Sequence, residues 1–181
     1  FVPLKGDALI SRYLQIATIA IDTTNQITGK AIACLTLMMV IVTCVVVTAR
    51  YLFNFGSIGL QESVMYMHGT VFMLGIAFTL KEQGHVRVDV LYEKFSPRVR
   101  VCIDIAGHLL FLIPFCVFIL WTSLGYVSFS WSLRESSAQP GGLPGVYLIK
   151  GLIPAMAVLL LLQGISEILK GFLSLTPGPG K

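Results

Sequence analysis

Charge is the scarcest property of this chain: Asp, Glu, Lys and Arg make up only 12% of its 181 residues, about half the share of a soluble domain. With 55% apolar residues as well, there is too little polar surface to coat a water-soluble core of this size. Cysteine is sparse too. Cys34, Cys44, Cys102 and Cys116 form no CxxC pair and have no ligand-like spacing to histidine, so neither a disulfide framework nor a metal site is expected. Three of the four sit in apolar runs, where cysteine behaves as a small hydrophobe. The chain also lacks GxSxG, HExxH and P-loop patterns and any carboxylate pair on one face of an apolar run. No catalytic residue and no cofactor site is expected, and the chain is read as not an enzyme. The net charge of +4 is spread along the chain, and no nucleic-acid partner is expected.

What is present is a set of long apolar runs. Ser63 to Leu80 carries no charge over 18 residues, enough to cross a bilayer core as a helix. It starts just after Glu62 and ends in the polar turn Gly84-His85-Val86-Arg87-Val88-Asp89. Before it, Ala31 to Ala49 is β-branched and apolar all round, as a lipid-buried helix is. Arg50 and the aromatic cluster Tyr51-Leu52-Phe53-Asn54-Phe55 then make a short interfacial hairpin. After it, Ser96-Pro97 is a helix start, an N-cap followed by proline at the first helical position. The uncharged run from Ile105 to Leu133 that follows rises ~43 Å as a helix, so its Trp-containing end should bend or stand clear of the membrane. Ser136 to Pro144 is a loop by its Gly and Pro content, with Pro144 placed to open a last span. In that span Lys150 and Glu167 lie near enough to the ends to snorkel.

Two weaker segments complete the pattern. In Leu9–Ile21 the polar residues Ser11, Arg12, Gln15 and Thr18 fall on one helical face, which favours a helix lying in the interface over a span or a signal peptide. Val88, Leu91, Tyr92 and Phe95 fall at i, i+3, i+4 and i+7, the pattern of a second, short amphipathic helix. The fold class is thus all-α integral membrane: four transmembrane helices, an N-terminal interfacial amphipathic helix and a short cytoplasmic one. Residues 1–30 form the arm and 31–171 the four-helix domain, with spans at about 31–50, 63–80, 104–130 and 146–170. Residues 172–181 form a flexible tail. Lys and Arg number ten on the side of the termini and the middle loop against three on the other, which places both termini in the cytoplasm.

Candidate functional residues are few. His68 and His108 raise a bis-histidine haem, as in a membrane anchor subunit of an oxidoreductase, but by helical rise they sit at different depths. Their alternative role is hydrogen bonding between helices. Pro114 and Pro154 free the carbonyls of Leu110 and Lys150, which points to kinks. Gly69, Gly75 and Ala77, and the pair Gly151 and Ala155, allow close helix approach. Arg50 and Glu62 flank so short a hairpin that an ion pair between them is expected.

Residues Arg50 to Asp89 resemble the small membrane subunit, the Q component or DctQ family, of the tripartite ATP-independent periplasmic (TRAP) transporters. The matching features are Arg50 with Phe53-Asn54 beyond it, Glu62, the Gly75 region, and the turn from Gly84 through His85 to Asp89. The resemblance extends over Lys30 to Gly171. Pro140-Gly141-Gly142-Leu143-Pro144, with Leu148-Ile149-Lys150 and Leu152-Ile153-Pro154, is similar to the branch labelled mannitol/chloroaromatic. The resemblance implies a non-catalytic scaffold in a bacterial or archaeal inner membrane. Its partners would be a large M subunit carrying the substrate and sodium sites, a periplasmic solute-binding protein that captures an organic acid, and membrane lipids. It makes Arg50, Glu62, Gly75, His85, Asp89, Gly141, Gly142, Pro144, Lys150, Gly151 and Ala155 the structural or subunit-interface candidates.

Overall fold

The computed structural model of the chain describes residues 5–84 and 94–175, with side chains from residue 12 on. All regular structure among them is helical: α1 (Lys5–Phe53), α2 (Ile58–Lys81), α3 (Pro97–Gly107), a π-helical turn (His108–Leu112), α4 (Ile113–Ser132) and α5 (Val146–Leu175). Four continuous helical stretches, 12–53, 58–81, 97–133 and 146–175, are long and apolar enough to cross a bilayer. The short connections α1–α2 and α4–α5 define one end of the bundle, called here the hairpin end. The opposite end holds the last turns of α2 and α5 and the start of α3.

The helix α1 has no break near residue 30, where arm and span were expected to part. No proline lies between Lys5 and Phe53, and Thr23, Thr24, Thr28 and Thr43 return their hydroxyls to carbonyls four residues back, so their polarity is satisfied within the helix. Gly29 does not end the helix either. It lets the Phe78 ring of α2 lie against the backbone, where a Cβ would overlap it. The result is one helix ~74 Å long.

Over residues 18–32 its inward face is polar, while Arg12 and Gln15 of the expected water-facing stripe are exposed. Thr18, Asp22, Asn25, Gly29 and Ile32 follow at i, i+4, i+7, i+11 and i+14 and face the bundle, with Thr18, Asn25 and Ile32 buried. Tyr13, Ile16, Ile19 and Ile27 face outward.

The second helix starts five residues earlier than the uncharged run. Ser57 caps it, its Oγ accepting from the Leu60 amide at 3.4 Å, so Glu62 sits inside the second turn rather than at the start. The third span begins at Pro97 after Ser96, as the N-cap–proline pair requires. It then bends where Pro114 demands it. Pro114 has no N–H to give the Leu110 carbonyl, the turn widens, and the Ile113 amide reaches back five residues to the His108 carbonyl. Pro154, by contrast, is carried inside α5 without ending it.

The hub is α5, which packs against α1, α2, α3, the π turn and α4. Gly151 receives the Trp131 indole, Gly164 receives Leu112, and Gly171 receives Ile105 and Val101. Little is enclosed. Among the described residues the interior holds six apolar side chains and six polar ones, while large apolar side chains cover the outside. The accessible surface is 12551 Å², against ~8600 Å² for a soluble protein of this mass. The surplus is apolar helix surface facing outward, as a bilayer or a second protein requires.

Candidate functional site

Two polar clusters, one toward each end of the bundle, hold the helices together. At the hairpin end Glu62 reaches across from α2 to the loop between α4 and α5. Its Oε2 accepts from the Leu143 amide at 2.7 Å and its Oε1 accepts from the Ser137 hydroxyl. Gly142 makes the approach possible, because a Cβ there would lie 2.8 Å from Glu62 Oε1 and overlap Ser137. Gly141 turns the loop with φ +79°, a conformation that favours glycine. Gly145 lies against the Tyr66 ring.

Beside this clamp, Lys150 of α5 bonds Glu135 Oε2 at 2.5 Å, and Ser130 donates to the same oxygen at 2.6 Å. These two hydrogen bonds, that from Lys150 first, hold the Glu135 carboxyl below its ordinary pKa. The Lys150 ammonium also lies 4.2 Å from the Tyr126 ring centroid, and Trp131 meets Tyr147 edge-on at 5.1 Å.

The other cluster joins α1 to α5. Gln163 is fully buried; its Nε2 donates to Asp22 Oδ1 at 3.0 Å and to Glu167 Oε1 at 2.8 Å. Because both of those partners are carboxylates, Gln163 Oε1 is the acceptor, and it takes the Asn25 Nδ2 proton at 2.7 Å. Ser166 donates to Asp22 Oδ1 at 3.0 Å. Lys170 closes the cluster between Asp22 at 2.7 Å and Glu167 at 2.8 Å. With two carboxylates and one ammonium the group carries a formal charge of −1. Asn25 Oδ1 is buried with no partner among the described residues.

Both clusters tie helix to helix, and of the second cluster Asn25 edges an open groove. That groove, beside Ala20, Thr24 and Leu162, and another beside Cys44 and Phe53 are lined mostly by apolar groups. Such an arrangement fixes the relative rotation of the helices.

A family model for the DctQ component of tripartite ATP-independent periplasmic transporters matches residues 39–174. The chain belongs to the DctQ family. No curated protein and no solved structure matches it. Membership makes it a multi-pass membrane component of a transporter, and the match takes in the whole hairpin-end clamp together with Gln163, Ser166, Glu167 and Lys170.

Within this DctQ chain the candidate residues separate into groups. Glu62, Gly141, Gly142 and Lys150 meet at the hairpin end, with Gly151 under Trp131 close by. Gly75 belongs to a different contact, against Ile32 of α1. Pro144 is exposed and precedes α5 by two residues rather than opening it, and Ala155 is half-buried on α5. His85 and Asp89 lie outside the described residues, as do the tail from residue 176 and all but Lys94 and Phe95 of the short amphipathic helix.

The ion pair between Arg50 and Glu62 does not form. Glu62 is committed to Ser137 and Leu143, while Arg50 is exposed at the end of α1 and pairs with nothing among the described residues. The two histidines also have separate settings. His68 faces outward with Phe72 as its ring neighbour at 6.5 Å, and His108 Nδ1 lies 2.6 Å from the Asp104 carbonyl in the bend.

Asp22, Asn25, Gln163 and Ser166 were not singled out from the sequence, and neither were Glu135 and Ser137. A signal for the first group exists: polar residues recur at i, i+4 and i+7 on α1 and at i, i+3, i+4 and i+7 on α5, each as a stripe within apolar surroundings.

Proposed function

We propose that this chain is the small Q subunit of a TRAP transporter, a non-catalytic scaffold that braces a large M subunit in the membrane. The M subunit would carry out sodium-coupled, elevator-type import of an organic acid delivered by a periplasmic binding protein. The observation that carries the reading is the DctQ match over residues 39–174. The architecture supports it, because a moving transport domain needs a stator and this bundle is cross-braced toward both ends. The placement of both termini in the cytoplasm rests on the Lys and Arg asymmetry.

The test is reconstitution. Proteoliposomes holding the large subunit of the same transporter, its loaded binding protein and an inward sodium gradient are prepared with and without this chain. Uptake should require the chain, and the chain alone should transport nothing. Uptake by the chain alone, or full uptake without it, would overturn the assignment.

A further inference from the structure

The outward face of α2 carries a straight stripe with one side chain unsuited to lipid, His68. Gln61, Met65, His68, Phe72 and Thr79 are all exposed and follow at i, i+4, i+7, i+11 and i+18, which keeps them within one narrow sector of the helix. Ala77, on the opposite side, is fully buried. The stripe is ~27 Å long, close to the thickness of a bilayer core. Its ends are polar and its flanks are bulky, as the outside of a spanning helix allows. Its middle is the exception: His68 lies within ~2 Å of the midpoint of Ile58–Lys81.

An imidazole at that depth cannot reach either interface, and its ring partner among the described residues is Phe72, which accepts no conventional hydrogen bond. In hydrocarbon each unsatisfied polar group is costly. An ionisable residue inside a span faces a protein interior or a polar cavity as a rule. The hydroxyls of Thr70 and Thr79 on the same helix return to its own carbonyls, whereas the exposed His68 imidazole has no hydrogen bond among the described residues.

We infer that the Gln61–Met65–His68–Phe72–Thr79 face of α2 is the docking surface for a transmembrane helix of the large permease subunit, which presents a hydroxyl, amide or carboxyl group level with His68. This rests on the subunit reading above and adds to it the contact surface and the chemistry of the contact. The occupant is a helix because the stripe is straight, one membrane thickness long and one side chain wide. It is a polar-bearing helix because His68 needs a donor or acceptor at the midplane, which an acyl chain does not offer. It belongs to another chain because the described helices of this one leave the face uncovered.

The test uses the chain co-expressed with the large subunit of its own transporter. A photo-crosslinking amino acid replaces Met65 or Phe72, and in controls Phe118 or Trp121, which are at least as exposed as Met65 on α4. Positions 65 and 72 should yield a covalent adduct with the large subunit and the controls should not. His68→Leu should lower the co-purified large subunit about three- to tenfold, the size of one interhelical hydrogen bond in a membrane. His68→Gln should restore most of it, and the melting of the isolated chain should not move in either variant.

Three results would overturn the surface while leaving the subunit reading intact. These are adducts from the α4 positions only, adducts with a second copy of this chain, and co-purification indifferent to His68→Leu. If the unmodified chain does not co-purify with the large subunit at all, both the surface and the subunit reading fall.

Discussion

Glu62 accepts one bond from a backbone amide and one from a hydroxyl of the same loop, so Glu62→Ala removes both anchors of residues 136–144 at once. Hydrogen bonds to a charged group are worth about 1.5–3 kcal/mol each, and the loss here should be ~2–3 kcal/mol because the site is only partly buried. Thermal unfolding in detergent measures it. Arg50→Ala should have the same small effect in the wild type and in Glu62→Ala, since the two side chains do not meet. A coupling above ~1 kcal/mol in that cycle would restore the ion pair that the hairpin suggests.

Glu135 gives a pH dependence with a fixed sign. Its folded pKa lies below the ordinary 4.5, so its contribution is complete above that value and is lost as pH falls through the folded pKa. The stability advantage of wild type over Glu135→Gln should therefore be constant down to about pH 5 and shrink below it. An advantage that grows with acid would contradict the Lys150 and Ser130 bonds.

Contacts between elements depend on where small residues fall. Gly29 of α1 is filled by the Phe78 ring of α2, and an added methyl has no room. Gly29→Ala should therefore destabilise the α1–α2 pair by ~1–3 kcal/mol, the usual effect of overpacking. Phe78→Ala should be less harmful in the Gly29→Ala background than alone, because the methyl occupies part of the vacated space. Equal effects in the two backgrounds would mean that the ring does not seat on Gly29.

This level is also where the sequence was least explicit. The four spans, the helix start at Ser96-Pro97, the bend near Pro114 and the loop over 136–144 were all legible, because each has a local signal in hydropathy, capping or backbone chemistry. The unbroken α1 was not. Of the expected water-facing stripe Arg12 and Gln15 are exposed while Thr18 is buried with Asn25, and only the position of α5 decides where along the helix polar residues turn inward. Glu62 was recognised as important but given the wrong partner, since nothing local distinguishes Arg50, twelve residues before it, from a loop 75 residues after it.

For the whole molecule the question is what holds so thin a bundle together when its surface is built to be covered by something else. The buried core is small, so the cluster around Gln163 should matter in proportion. Gln163 is fully buried and touches three partners on two helices: Asn25, Asp22 and Glu167. Gln163→Leu keeps the bulk and removes the bonds. Asn25 then loses its one bond, and each carboxylate loses a donor while keeping Lys170. An unsatisfied buried group costs about 1–3 kcal/mol, so the variant should lose ~3 kcal/mol or more and should loosen α1 from α5 ahead of global unfolding. Hydrogen exchange of the α1 amides around Asn25 would register that loosening. The decisive comparison is with Asn25→Leu/Gln163→Leu, in which no amide is left stranded. Replacing both partners of a buried hydrogen bond with apolar groups is close to neutral where the shapes fit. The double variant should therefore be more stable than Gln163→Leu alone, despite carrying one more substitution. If it is instead worse by the full effect of Asn25→Leu, the two amides act independently, and the clamp joining α1 to α5 reduces to the Asp22–Lys170–Glu167 charges.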